Sequence, residues 1–170
     1  MLEALRSFLD DLAAGTRAPE AFAADDHRVA AVALLVHIAG VDGTVDAAEA
    51  ARLERLVRER YELDPAQARA LIAQATEDER EAVDLFAFTH ILKRRLDDAG
   101  RHAVIEALWE MAYADGEVHE FEENIVWRVA ELLGVSSRDR VELRQRAERE
   151  GPEDVKEAGP WGAVLKGGNA

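Results

Sequence analysis

Apolar side chains along this chain recur at steps of three and four, and no alternating run marks a half-buried strand. Leu2, Leu5, Leu9 and Leu12 predict a short amphipathic helix over 2–14, ended by Gly15. Pro19 opens a brief helical or irregular stretch to Ala24. Asp25 and Asp26 are candidate N-caps for a helix over about 27–41, with Val29, Val32, Leu35, Val36 and Ala39 on one face. That segment is nearly apolar all round, so it is expected to be central and buried.

A helix over about 47–61 follows, striped by Leu53, Leu56, Val57 and Tyr61. Asp64 as N-cap, Pro65 at the first helical position and Gln67 at the capping-box position start another. It is expected to reach about Thr76, with Ala68, Leu71, Ile72 and Ala75 inward. The charged stretch Glu77 to Glu81 then leads into a helix over about 82–96, carrying Leu85, Phe86, Phe88, Thr89 and Leu92. The pattern resumes over about 99–114 with Val104, Ile105, Leu108, Trp109, Met111 and Ala112. It continues over about 120–133 with Phe121, Ile125, Val129 and Leu132, closed by Gly134. Ser136 or Ser137 caps a last helix over about 138–149. No alternating run bounded by turn residues competes. The expected fold is all-α, with about seven to eight helices.

Two stretches of this pattern are copies. Ala39-Gly40-Val41-Asp42-Gly43-Thr44-Val45-Asp46-Ala47-Ala48-Glu49 returns as Ala112-Tyr113-Ala114-Asp115-Gly116-Glu117-Val118-His119-Glu120-Phe121-Glu122. Asp, Gly, Val and Glu recur at a constant offset. Each copy reads as helix, Asp-Gly turn, helix, capped connection and shorter helix. The repeats cover about 27–76 and 99–149, joined by the helix at 82–96, and suggest two pseudo-symmetric three-helix units around a buried helix pair. The domain is expected over 25–150, preceded by the amphipathic helix and linker of 1–24. The Gly-, Pro- and Lys-rich stretch 151–170 reads as a flexible tail that Trp161 could tack onto the domain.

Composition narrows the function. The 170 residues fit one domain, and the Ala, Leu, Glu and Arg that dominate are strong helix formers. Acids outnumber bases 35 to 21, for a net charge of −14, which argues against nucleic acid. The one basic run, Lys93-Arg94-Arg95, reads as a helix C-terminus complementing the macrodipole. An acidic surface suits divalent cations, a basic partner or solubility alone. The chain has no cysteine, which removes disulfides, thiolate metal sites and thiol redox chemistry together. The N-terminal apolar pattern is broken by acids, unlike a signal peptide, and the run Val29 to Val41 is too short to span a bilayer. A soluble protein without membrane insertion is expected.

The paired turns admit two readings. In the first they are structural: Gly43 and Gly116 end helices in the left-handed region, and Val45 and Val118 sit where hydrophobic staples form. Asp46 with Glu49, and His119 with Glu122, have capping-box spacing. In the second, Asp42, Asp46 and Glu49, with Asp115, His119 and Glu122, bind a divalent cation weakly. Oxygen-rich groups suit Ca²⁺, Mg²⁺ or Mn²⁺, and His119 tilts the second copy towards Mn²⁺ or Zn²⁺. Capping leaves the first Asp of each copy unexplained, because a helix C-terminus disfavours negative charge. An EF-hand does not fit. Aligning Glu49 with the last loop position puts Ile38 and Gly40 at ligand positions, and Met111 and Tyr113 fall there in the second copy.

Other constellations are weaker. His119-Glu120-Phe121-Glu122-Glu123 has Glu123 where a zinc-protease helix needs its second His. His37, His90 and His102 lie on helices with no evident partner. No phosphate loop, nucleophile elbow or di-iron pair is present. Trp109, Trp127 and Phe121 are expected in the core, with Trp127 near the edge of its stripe. No enzyme is expected.

Several segments together resemble the bacterial tellurite-resistance TerB family, in particular its stand-alone branch. They are the two Asp-Gly turns, the connector Asp84 to Thr89, Leu108 to Glu117, and Val129 to Val135. The resemblance covers about 25–150. It implies an all-α fold of about seven helices and a cytoplasmic, non-catalytic role linked to metal or oxyanion stress. Related domains in J-domain co-chaperones imply a protein partner. The family's acidic positions match Asp42, Asp46, Glu49, Asp115 and Glu122, with His119 where the family usually carries Asp. Without cysteine, reduction of an oxyanion by this chain is not expected.

Overall fold

The computed structural model describes residues 22–23, 25–41, 43, 45–115 and 118–150, with the side chain of Asp115 excepted. The amphipathic segment 2–14 and the tail 151–170, with Trp161, lie outside the described residues. Seven α-helices make up the described chain: α1 (His27–Ala39), α2 (Ala47–Tyr61), α3 (Pro65–Glu81), α4 (Phe86–Arg95), α5 (Asp98–Ala112), α6 (Glu120–Leu132) and α7 (Ser137–Arg149). A 3₁₀ turn, Tyr113–Asp115, extends α5. No strand occurs among the described residues. No described helix is long and apolar enough to cross a membrane.

Helix α1 is the centre. Nine of its thirteen residues are buried, from Val29 through Leu35 together with Ile38 and Ala39, so it has almost no solvent face. It packs first on α3, then on α4 and α5, and more lightly on α2. In the second half α5 takes the corresponding place, packing on α7 and α6. Some buried positions coincide at the offset of the sequence repeat. Leu53, Leu56 and Val57 of α2 are buried, and Val126, Val129 and Ala130 of α6 occupy the same places in the second copy. In the third helices the register is one residue shorter: Leu71 and Ala75 of α3 correspond to Leu143 and Ala147 of α7.

Caps set most of the boundaries. Asp26, Asp46, Asp64, Asp97 and Ser136 each accept a hydrogen bond from a backbone N–H in the first turn of the helix that follows. Asp64 and Gln67 form the expected capping box, with Pro65 at the first position. Gly134 closes α6 at φ 74°, where Val135 N donates to Ala130 O at 3.0 Å and the Val135 side chain is buried. Lys93, Arg94 and Arg95 do occupy the last turn of α4. Arg95 also pairs with Asp25, just ahead of α1.

Three expectations are corrected. Helix α3 does not stop near Thr76 but runs through Glu81. The charged stretch contains no breaker, and its Glu79 is anchored by His37 of α1 at 2.8 Å. Helix α4 begins at Phe86, where the Asp84 carboxylate accepts from the Phe86 N–H at 2.9 Å, and Phe86 stands 59% exposed. The buried stripe of α6 is Val126, Val129 and Ala130, one residue later than the expected set beginning at Phe121. At 100° per residue Phe121 lies roughly 130° from that stripe. It is 74% exposed and not a core residue.

Asp26 links sequence, cap and electrostatics. Its carboxylate accepts from Arg28 N at 2.9 Å and from Arg28 Nε and Nη2 at 3.1 and 2.8 Å. The hydrogen bond from the Arg28 side chain holds the Asp26 carboxyl below its ordinary value. Because the folded value is depressed, the stability is present above the unfolded value of about 4 and is lost as pH falls through the folded value. Asp26→Ala is expected to cost about 1–2 kcal/mol near neutral pH in urea unfolding. The gap from wild type should narrow as pH falls below about 4. A gap independent of pH would separate the cap from the ion pair.

Candidate functional site

The first turn begins where α1 runs out of apolar side chains. Gly40 caps α1, its N–H donating to Val36 O at 3.0 Å, and its φ of −93° needs no glycine. Gly43 does need one. It has φ 97° and donates to Gly40 O at 3.0 Å, which folds the chain back towards α2. The left-handed glycine therefore shapes the connection and does not end the helix as expected. The second turn is built differently. Tyr113 stands where the first copy has Gly40, and the chain tightens into the 3₁₀ turn Tyr113–Asp115. Residues 116 and 117, and with them the backbone of Gly116, lie outside the described residues.

The six candidate ligands fall into two engaged pairs and two acids whose side chains are not described. Asp46 Oδ1 accepts from Glu49 N at 2.8 Å, and Glu49 Oε2 accepts from Asp46 N at 2.9 Å. These two carboxylates are a capping box at the start of α2. In the second copy Glu122 Oε2 accepts from His119 N at 3.3 Å, at the start of α6. His119 is exposed and Glu122 half-buried. Asp42 and the Asp115 side chain lie outside the described residues. Among the described residues no group of three or more His, Asp or Glu side chains converges as a metal site.

The histidines without evident sequence partners do have partners. His37 Nδ1 lies 2.8 Å from Glu79 Oε1, joining the ends of α1 and α3. His102 Nε2 lies 3.6 Å from Asp139 Oδ2, joining α5 to α7. His90 stacks on Phe86 with ring centroids 5.9 Å apart. All three are placed by contacts between or along helices, and among the described residues none belongs to a group of three or more His, Asp or Glu side chains able to hold a metal ion.

Sequence reasoning missed a groove beside the first turn. It encloses about 790 Å³ between the ends of α1 and α3, the first turn, Leu85 ahead of α4, and the first half of α6. Val36, Val41, Val45, Leu85, Phe121 and Ile125 make its walls mostly apolar. His37, Glu79, Arg80, Asn124 and Arg128 supply the polar groups. Arg80 is paired with Glu77 at 3.4 Å. Arg128 is exposed and has no hydrogen bond or ion pair among the described residues. Val45 is 45% and Phe121 74% exposed at the rim. The first turn thus faces the flank of the helix that follows the second turn. The signal for this was Phe121 itself, an aromatic at the edge of a stripe that closes without it.

The second turn is held by an aromatic and charged contact set. Trp109 of α5 is buried, meets Trp127 of α6 edge-on at 5.8 Å, and lies under the Arg144 guanidinium of α7 at 5.8 Å. Glu123 accepts from Trp127 Nε1 at 3.1 Å and pairs with Arg144 at 2.7 Å. A side-chain hydrogen bond to Tyr113, the first residue of the 3₁₀ turn, raises the Arg144 pKa above its ordinary value. Three helices and the turn are tied at one point.

Comparison with known proteins agrees with the helical architecture. Neither the curated proteins nor the solved structures give a match. The family model described as "Tellurite resistance protein TerB" matches residues 28–145, from the first turn of α1 into α7. The match takes in both turns, the groove and the Trp109 contacts, and the chain belongs to the TerB family.

Proposed function

We propose that this TerB-family chain is a non-enzymatic accessory protein of the cytoplasm that works by docking a protein partner in the groove beside its first turn. The observation that carries the reading is the rim. Phe121 and Val45 are large apolar groups left in water next to a mostly apolar groove of about 790 Å³. Exposed apolar surface of this kind, with a polar edge, is what interaction sites present. Arg128 has no anionic partner among the described residues although the chain carries a net charge of −14. The occupant this favours is an apolar segment bearing a carboxylate, with its side chains between Phe121 and Ile125 and its charge at Arg128.

A second reading adds a cation. Asp42 stands in the chain between Val41 and Gly43, and both of these line the groove. A divalent ion held at the first turn would sit at the edge of the docking surface, and its presence would be felt by the partner. Asp46, Glu49, His119 and Glu122 are already engaged in helix starts. The cation reading therefore rests on Asp42 and Asp115, with Ca²⁺, Mg²⁺, Mn²⁺ or Zn²⁺ bound weakly.

Phe121→Asp is expected to change stability by no more than about 0.5 kcal/mol, because the side chain is exposed. A photoreactive residue at position 121 should trap one defined adduct in cells. Arg128→Glu should abolish that adduct, and the same probe at exposed Glu59 should give none. The trapped protein, purified, should bind wild type and lose roughly tenfold or more in affinity for Phe121→Asp. No adduct, or equal affinity for the variant, would overturn the docking reading. For the cation, calorimetric titration of metal-free protein should give heat and thermal stabilisation at millimolar metal. Both should be lost in Asp42→Asn with Asp115→Asn. A silent titration removes the cation and leaves the groove untouched.

A further inference from the structure

The groove beside the first turn lies within reach of residues 2–14 of the same chain. That stretch is outside the described residues, but its sequence carries Leu2, Leu5, Leu9 and Leu12 at the spacing of one helical stripe. A helix so short is marginal in water by itself and needs an apolar surface to lie on. The walls of the groove are such a surface, with Phe121 and Val45 exposed at its rim.

The place where the described chain begins fixes the reach. Phe22 is pinned to α3: its N–H donates to Gln74 Oε1 at 3.0 Å, and Gln74 Nε2 donates back to its carbonyl at 2.9 Å. Gln74 precedes Glu79, in the groove wall, by about 1.4 turns of α3. That is roughly 8 Å along the axis and about 140° around it. Passing around one helix adds about 10 Å, which brings the distance to about 13 Å. The seven residues 15–21 span up to about 23 Å, so residues 2–14 reach the groove from their own chain.

Charge agrees with reach. Residues 2–14 carry three acids against one arginine, and at 100° per residue Glu3 and Asp10 fall on one flank of the leucine stripe. Arg128 is exposed at the groove with no ion pair among the described residues. In the tail, Gly159, Pro160 and Gly162 interrupt any such stripe around Trp161. We propose that residues 2–14 occupy this groove in the resting chain, their leucines against Phe121 and Ile125 and a carboxylate at Arg128, and that a docking partner must displace them. The displacement rests on reading the groove as a docking site, whereas the occupancy does not.

Leu5→Asp with Leu9→Asp in the full chain breaks the stripe, and a synthetic peptide of residues 2–14 is the probe. In ¹H–¹³C methyl spectra the double variant should shift Val41, Val45 and Ile125 relative to wild type and leave Val104, which does not line the groove, unchanged. The peptide should bind the double variant saturably. A linker of this length sets an effective concentration of about 1 mM, so a peptide Kd of about 100 µM there predicts roughly tenfold weaker binding to wild type. Phe121→Asp added to the double variant should abolish peptide binding. The partner trapped at position 121 should bind the double variant roughly tenfold more tightly than wild type. Unshifted groove methyls, or no saturable peptide binding to the double variant, would overturn the occupancy even where a partner binds. With no partner trapped, the docking reading falls while the methyl and peptide results still decide the occupancy. Methyl shifts that vary with protein concentration would assign the groove to a second copy, and shifts reproduced by Trp161→Asp would assign it to the tail. Either result overturns the proposal.

Discussion

The architecture depends on one constraint: α1 has nowhere to put a solvent face. Val29 to Leu35 are buried without interruption. Each Leu or Val so covered contributes roughly 1.5–3 kcal/mol relative to exposure. An amphipathic helix can be satisfied by one neighbour, but this one needs neighbours all round. Helices α3, α4, α5 and α2 supply them. The order of the chain follows. The short connections hold α2 and α3 close to α1, and α4 carries the chain across to the second unit. The unit built on α5 then closes the remaining side. The groove beside the first turn lies where this cover is thin, at the C-terminal end of α1.

The two halves are alike in what they bury and unlike in what they expose. Leu53, Leu56 and Val57 match Val126, Val129 and Ala130, and the capping pairs Asp46–Glu49 and His119–Glu122 match as well. These positions answer to folding physics, and the repeat keeps them. The first turn uses Gly40 and a left-handed Gly43, whereas the second continues helically through Tyr113. Tyr113 is tied into the contacts of Arg144 with Trp109 and Glu123. Among the described residues nothing of that kind holds Gly40, and the first turn borders a groove.

Much of this was legible in the sequence, and the failures are informative. The all-α fold, the central apolar helix, the cap at Asp64, a serine cap at 136 or 137 and the Gly134 ending each rest on local chemistry, and each was found. The end of α3 was missed because its last turn is held by a distant partner, the His37–Glu79 contact, and not by its own pattern. Phe121 was assigned to the core because periodicity alone cannot place the centre of a stripe to better than one residue. The neighbouring helices decide that. At the candidate site the sequence offered Asp46 and Glu49 both as a capping box and as metal ligands, and the box is what forms. Its one sign of the groove was Phe121, because the groove is assembled from residues far apart in the chain.

The repeat separates structural residues from the remainder at the groove. At the positions that answer to Phe121 and Ile125, α2 carries an exposed Ala48 and a half-buried Arg52. A helix in this place therefore folds without an aromatic and an isoleucine on that face. Phe121 and Ile125 are not needed for the capping box, which Glu122 serves, nor for the buried stripe, which Val126, Val129 and Ala130 complete. A large apolar side chain held 74% in water gains nothing from the hydrophobic effect in the isolated chain. Its gain comes when something covers it. The acidic residues shared by both copies are the ones capping explains, and the apolar residues present in one copy are the ones it does not. That difference shifts the functional weight from the doubled Asp-Gly motif to the unshared flank of α6.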